Sequence, residues 1–311
     1  MGLPMASNLI SKVPQGSSLL IYDISEELME KLANKHGDCV MTCNSPMEVA
    51  KNAHVVFTML PEGSHVETVY LHPQNGILHD GMAARVLVDC STIDTETCLR
   101  VAAEVRHKHP VVSFYDAPVS GGTLGAESGS LTIMLGCSND GSDAQYPIVY
   151  SLLSLMGNNV VCCGGLGMGL AAKLCNNYCS GLIAIATAEA MNIGIRSGMD
   201  PRVLAQVFAR STAQSTICDK WNPVPGICPN APSSKGYVGG FKVQLMAKDF
   251  GLAVAAGEQV GAKMLLGYNG LAAYKDASQD PKCRDLDSRV VFRFIGGNED
   301  WETKFKLRDQ K

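Results

Sequence analysis

The feature that most constrains this chain is a change of texture partway along its 311 residues. From Ser18 to Gly136, short apolar runs alternate with stretches of helical spacing. Leu19 to Tyr22, Val55 to Leu60, Val86 to Asp89, Val111 to Tyr115 and Leu131 to Leu135 read as strands. Ser25 to Lys35, Ser64 to Tyr70 and Asp94 to His107 between them read as helices. Such alternation predicts βαβ units and a parallel sheet, and continuous apolar strands fit a sheet covered on both faces. After about residue 165 no strand pattern remains. Helices are expected at Leu170 to Arg196, Arg202 to Ser211, Gln244 to Val260 and Lys263 to Lys275, with a long ordered loop over the Pro- and Gly-rich stretch Asn222 to Gly240. The expected architecture is an α/β Rossmann-type domain over residues 1–163, followed by an all-helical substrate and dimerisation domain over 164–311.

Composition excludes several classes. Net charge is −4 and the 26 Lys and Arg residues are scattered, so neither a nucleic-acid footprint nor a polybasic membrane patch is expected. Twelve irregularly spaced cysteines do not form a disulfide framework. Cys39, Cys90, Cys162, Cys163, Cys175 and Cys179 lie in apolar runs, so buried free thiols in a reducing compartment are expected. No cysteine spacing suggests a metal site. The most membrane-like stretch, Tyr178 to Ile195, contains Glu189 and Asn192 and reads as a helix buried in protein. No signal or transit segment is apparent, since Met1-Gly2-Leu3-Pro4-Met5-Ala6 is already structural sequence.

Three segments could carry chemistry. Gly2 opens a helix and Asp23 ends the following strand 21 residues later, the spacing of the last glycine and the ribose-binding acid in a dinucleotide fingerprint. A surface helix followed by a turn aspartate fits the same residues. Gly167-x-Gly169-x-x-Ala172 also matches a relaxed fingerprint, but a long helix follows it with no second strand, so it is not expected to be the cofactor turn. Asp116-Ala117-Pro118-Val119-Ser120-Gly121-Gly122 follows a strand, either as a flexible turn or as a cradle of backbone N–H groups for an anion. Lys173 and Asn177 share a helix face, and the apolar neighbours of Lys173 would desolvate its amine unless it snorkels to the surface.

Together these segments resemble the β-hydroxyacid dehydrogenase family over nearly the whole chain. The matching stretches are Met1 to Ala6, Thr58 to Pro61, Asp116 to Gly122, Gly164 to Asn177, Thr187 to Asn192, Asn222-Pro223-Val224-Pro225-Gly226 and Leu245 to Asp249. The Asn-Pro-Val-Pro-Gly loop points to the hydroxyisobutyrate branch. The resemblance implies NAD-dependent oxidation of 3-hydroxyisobutyrate to methylmalonate semialdehyde in mitochondrial valine breakdown, by a homodimer or homotetramer. It implies Lys173 as catalytic acid/base and Asn177 as the group orienting the substrate hydroxyl. Ser120, Gly121 and Gly122 would hold the carboxylate, with Lys248 and Asp249 completing the substrate site. Gly2, Tyr22, Asp23, Met59, Leu60, Pro61, His65, Thr92 and Lys248 would contact the cofactor, His65 standing where the family usually has Asn. The likeness begins at the third glycine, so the family's first strand and first two glycines are expected to be missing from this chain. Sister reductases of small semialdehydes commonly use NADP and have Arg near Asp23's position, whereas a non-catalytic paralogue would keep only the helical domain for assembly.

Overall fold

The computed structural model describes residues 1–138, 140 and 142–306, with backbone alone for 304–306. The chain divides into two compact units, Met1–Lys173 and Leu174–Lys311.

The first unit runs α1 (Gly2–Lys12), β1 (Leu19–Ile21), α2 (Glu26–His36), β2 (Val40–Thr42), α3 (Pro46–Asn52), β3 (Val55–Thr58), α4 (Gly63–Leu71), β4 (Val86–Asp89), α5 (Thr95–Lys108), β5 (Ser113–Asp116), β6 (Val119–Ser120), α6 (Gly122–Glu127), β7 (Leu131–Leu135), α7 (Tyr146–Ser154) and β8 (Gly157–Cys162). Helix starts follow local chemistry. Ser25 accepts from Leu28 N at the head of α2, Ser45 from Glu48 N at α3, and Asp94 from Thr97 N at α5. Parallel pairing joins β1 to β2, and β3 to β4 to β5, with Val55 opposite Val86 and Val86 opposite Ser113. Every residue of β4 is buried, as a strand covered on both faces requires. One core cluster contains Val86, Val88, Tyr115, Leu131 and Ile133, and a second contains Val56, Tyr70, Leu87 and Val101. Each fully buried aliphatic side chain here contributes about 1.5–3 kcal/mol.

The structure corrects several expectations. The strands fall into three hydrogen-bonded groups rather than one sheet, and β6 pairs antiparallel with β7. Residues 121–130 between them are too few for the crossover of about a dozen residues that a parallel pair needs. The strand expected over Val55 to Leu60 stops at Thr58, and the Leu60 N–H turns to Ser91 Oγ instead of a neighbouring strand. In this unit β2, β6 and β8 and the helices α3, α6 and α7 go beyond the expected elements. Only Val40 of β2 is buried, half of β8 is exposed, and α3 is seven residues long, so none of these three carries a sustained apolar pattern.

The second unit is built from helices. α8 (Met168–Arg196) begins in the first unit and continues into it. There follow α9 (Pro201–Ala209), α10 (Thr216–Lys220), α11 (Val243–Gln259), α12 (Gly267–Gln279), α13 (Val291–Phe294) and α14 (Trp301–Lys306). Its core stacks Tyr178 on Phe250 with ring centroids 4.9 Å apart, and Phe250 lies against Tyr274. The loop between α10 and α11 is ordered by hydrogen bonds within it and from α14. Ser233 Oγ donates to the Asn222 carbonyl at 2.6 Å, Tyr237 OH to the Pro223 carbonyl at 2.9 Å, and Trp301 Nε1 to the Pro225 carbonyl at 2.8 Å.

Two burial expectations also change. All twelve cysteines are free, yet Cys39, Cys175 and Cys179 are exposed and Cys162 and Cys163 half-buried. Cys39 sits in a short turn before an edge strand, and Cys175 and Cys179 lie on an open face of α8. That helix is long and apolar enough to cross a membrane, but only 33% of its most apolar stretch is buried within the chain. Solvent reaches a stripe of Asn176, Cys179, Ile183, Ala186, Ala190 and Ile193, spaced alternately three and four residues apart.

Candidate active site

In the first unit the carboxyl ends of the parallel strands gather most of the residues singled out by sequence. β5 ends at Asp116, and the chain then turns through Pro118 into β6 and the Ser120-Gly121-Gly122 turn. Gly121 has φ 137° and Gly122 φ 65°, values that L side chains rarely adopt. A Cβ on Gly121 would also lie 3.0 Å from Leu131 Cδ2. Ser120 is half-buried beside them.

Asp116 is deeply enclosed. It is 1% exposed; Oδ1 accepts from Gly167 N at 2.7 Å and Oδ2 from Leu170 N at 2.8 Å. Burial pushes its carboxyl upward, and the N–H donors of Gly167 and Leu170 oppose that shift. The glycines of the rejected fingerprint therefore head a helix whose N-terminal anion site is filled by the chain's own carboxylate. A Cβ on Gly136 would fall 1.9 Å from Asp116 Oδ1, and one on Gly169 2.2 Å from the Met134 carbonyl oxygen.

Its register partner Asp89 organises a second group. Asp89 Oδ1 accepts from Thr58 Oγ1 at 2.8 Å, Ser91 Oγ at 2.5 Å and Ser91 N at 3.1 Å. Ser91 Oγ in turn accepts from Leu60 N at 2.8 Å, so the Met59-Leu60-Pro61 segment is tied to the residue preceding Thr92. Burial raises the Asp89 carboxyl, the Ser91 and Thr58 hydrogen bonds lower it, and the charge of Asp116 raises it further. Sequence reading gave no role to Asp89, Ser91 or Asp116. Strand-terminal aspartates at matching positions were the available signal.

Gly2 approaches Met59 closely enough that a Cβ on it would sit 3.7 Å from Met59 Cβ. α1 starts with no side-chain cap, leaving its first N–H groups for another acceptor. Asp23 is exposed just past β1; its Oδ1 accepts from Ser25 N at 2.9 Å, and Tyr22 beside it is 39% exposed. An uncapped helix start, an exposed acid past β1 and a tethered loop past β3 fit the pyrophosphate, ribose and nicotinamide parts of a dinucleotide. His65 lies in the first turn of α4, exposed, with Nδ1 3.6 Å from Glu62 Oε1.

Lys173 stands on α8 between buried Leu170 and Leu174 and is itself only 6% exposed. In the second unit Asn177, one helical turn on and 5% exposed, donates through Nδ2 to Asp249 Oδ2 at 2.7 Å. Asp249 is 2% exposed, and Lys248 Nζ lies 3.1 Å from its Oδ1. That approach is an ion pair by distance, while Oδ1 accepts no hydrogen bond among the described residues. The donated bond fixes the amide of Asn177, whose Oδ1 accepts from Asn176 Nδ2 at 3.3 Å and whose Nδ2 carries a second hydrogen to donate.

Known proteins match both units of the chain. Residues 1–165 match the profile described as the NAD binding domain of 6-phosphogluconate dehydrogenase. Residues 167–295 match the NAD-binding domain of NADP-dependent 3-hydroxyisobutyrate dehydrogenase. The mitochondrial 3-hydroxyisobutyrate dehydrogenase of Mus musculus is 42% identical over 300 residues, covering 96% of this chain and 85% of the relative. The Pseudomonas aeruginosa 3-hydroxyisobutyrate dehydrogenase is 38% identical over 305 residues and covers 96% of each chain. The solved structure of Mycobacterium tuberculosis 3-hydroxyisobutyrate dehydrogenase with L-serine superposes with a TM-score of 0.83 at 31% identity, covering 95% of each chain. With these likenesses spanning both units, the chain belongs to the 3-hydroxyisobutyrate dehydrogenase family of nicotinamide-dependent oxidoreductases.

Proposed function

We propose that this chain oxidises 3-hydroxyisobutyrate to methylmalonate semialdehyde with NAD, a step of valine breakdown, and that it does so in mitochondria. The observation that carries the reading is Lys173, a lysine 6% exposed and one turn from an asparagine whose amide is already oriented by Asp249. The bound nicotinamide supplies hydride acceptance. Lys173 takes the hydroxyl proton, a task suited to an amine held among apolar neighbours. Asn177 offers the second N–H of its amide to the hydroxyl oxygen, orienting it while the proton goes to Lys173. Ser120, Gly121 and Gly122 receive the substrate carboxylate, and Lys248 and Asp249 hold the remaining substrate contacts. Gly2, Tyr22 and Asp23 serve the adenosine half of the cofactor. Met59, Leu60, Pro61, His65, Thr92 and Lys248 serve the nicotinamide half. L-serine, present with the Mycobacterium tuberculosis relative, is itself a β-hydroxy acid.

The choice of NAD rests on Asp23. Its carboxylate accepts from a ribose diol and repels a 2′-phosphate, a charge pair worth roughly 4 kcal/mol at ~4 Å and an effective dielectric of about 20 before screening. Residues 1–163 form the NAD-binding domain, lending the Ser120-Gly121-Gly122 turn to the substrate, and 164–311 form the substrate and dimerisation domain, lending Lys248 to the cofactor. The heptad-spaced stripe on α8 supports self-association, since small and apolar residues alternately three and four apart form a helix-packing seam. Steady-state kinetics over a panel of β-hydroxy acids, L-serine and small semialdehydes with NAD, NADP and their reduced forms tests the reading, with sedimentation velocity of the same sample for the assembly. We expect 3-hydroxyisobutyrate with NAD to give the highest kcat/KM and the sample to sediment as a dimer or larger. A semialdehyde reduced best with NADPH would replace the substrate assignment, comparable efficiency with NADP would remove the role of Asp23, and a monomer would remove the seam.

A further inference from the structure

The reading of Lys173 leaves Asp116 without a function, although its carboxylate is 1% exposed and both its oxygens accept backbone hydrogen bonds. Each of its oxygens accepts one N–H from the beginning of α8, the pattern of an ionised carboxylate. Glycines at 136 and 169 leave no space for a Cβ beside it, and Met134, Gly136 and Gly169 close around it from β7 and α8. A single side chain thus joins the end of β5, which leads into the Ser120 turn, to the first turn of α8, which leads to Lys173.

We propose that Asp116 is a positioning residue for proton transfer: its carboxylate pins the start of α8 and so sets where Lys173, on the following turn, presents its amine. This rests on the reading of Lys173 as the acid/base. Two consequences separate it from simple structural support. The helix start is held in one register relative to the Ser120 turn, so loosening it misplaces the amine and lowers kcat more than it raises KM. The negative charge also offsets the positive end of the α8 dipole, which otherwise disfavours an ammonium one turn inside the helix. Removing the charge makes Lys173 easier to deprotonate. In the oxidation direction, where the free amine acts, the acid limb of the rate profile moves to lower pH. Other titratable groups that sense Asp116 are Asp89 at the end of β4, Cys98 on α5 and Cys163 after β8. The two thiols stay neutral across the assay range, since burial pushes both upward.

The test compares Asp116→Asn, Asp116→Ser and Lys173→Met in the full chain. Asn keeps the size but turns an amide donor toward a backbone N–H, whereas Ser keeps an acceptor without that conflict. Both remove the charge. For each we would measure kcat and KM for 3-hydroxyisobutyrate across pH, NADH affinity by fluorescence, and thermal unfolding. We expect kcat to fall about 10- to 100-fold in both Asp116 variants, with NADH affinity within about twofold. The acid limb should move down by about half a pH unit or more. Wild-type kcat and profile would overturn the proposal. So would reduced turnover with an unmoved acid limb, or failure of both variants to fold, either of which makes Asp116 structural only. Near-normal turnover in Lys173→Met would instead remove the acid/base reading itself, whatever the Asp116 variants do.

Discussion

Truncating Asp249 to alanine isolates the hydrogen bond that orients Asn177, and its size follows from the geometry. Asn177 Nδ2 donates to Asp249 Oδ2 at 2.7 Å, with the two residues 5% and 2% exposed, so no water is at hand to replace the lost acceptor. An unpaired buried donor costs about 1–3 kcal/mol, more when its partner was charged. The nearby Lys248 ammonium is 27% exposed, and its ion pair adds little, of order 0–1 kcal/mol. Relief of the buried carboxylate's own desolvation offsets part of the loss, leaving a net destabilisation of about 2 kcal/mol. For a unit of this size that lowers its Tm by roughly 8 °C, at about 4 °C per kcal/mol. Asp249→Asn keeps an oxygen for Asn177 and loses only the charge, so about 1 kcal/mol or less is expected. Calorimetry and urea titration of both variants, of Asn177→Ala and of the Asp249→Ala/Asn177→Ala pair complete a double-mutant cycle. A coupling energy of about 1 kcal/mol or more supports the argument. Additive single effects, or equal stability in the alanine and asparagine variants, would refute it.

Two further outcomes are expected. Lys173→Met keeps the length and apolar contact of the side chain and removes its titratable amine, so turnover should fall by ~10²-fold or more while NADH binding persists; stopped-flow turnover and fluorescence titration check this, and near-normal turnover would move the role to Lys248. The second concerns His36, whose pKa is lowered by burial and then by the charge of Lys35. Lys35 Nζ lies 2.8 Å from Ser7 Oγ and donates to it, which leaves the hydroxyl to donate to a neutral His36 Nε2 at 3.0 Å. The folded state therefore resists the proton, so stability is fully present above the unfolded pKa of about 6.5 and is lost as pH falls through the lower folded value. His36→Gln should flatten part of that loss in melting curves between neutral and mildly acidic pH; an unchanged slope would refute the assignment.

Much of this protein was legible because it was written locally. Alternating runs and helical periods mark a β/α half and a helical half, and the long helix through Lys173 and Asn177 is visible in spacing alone. So is the placement of Asp23 at a strand end. Even the missed α3 had a local signature. Ser45 caps it, and Glu48 three residues on reaches back to Asn44 N at 2.7 Å, much as in a capping box.

Other features existed only once the chain had closed on itself. Whether Lys173 snorkels or is enclosed could not be read from its neighbours, because burial depends on what packs over the helix; the fold leaves it 6% exposed. The thiols of Cys175 and Cys179 went the other way, exposed because their face of α8 is left open. The carboxylate of Asp116 caps a helix 51 residues further along the chain, and Asp249 orients an amide 72 residues before it. Periodicity reports which face of an element is apolar, since that is repeated every turn. A single polar contact across such a distance leaves no period, so its partners were decided by tertiary packing alone.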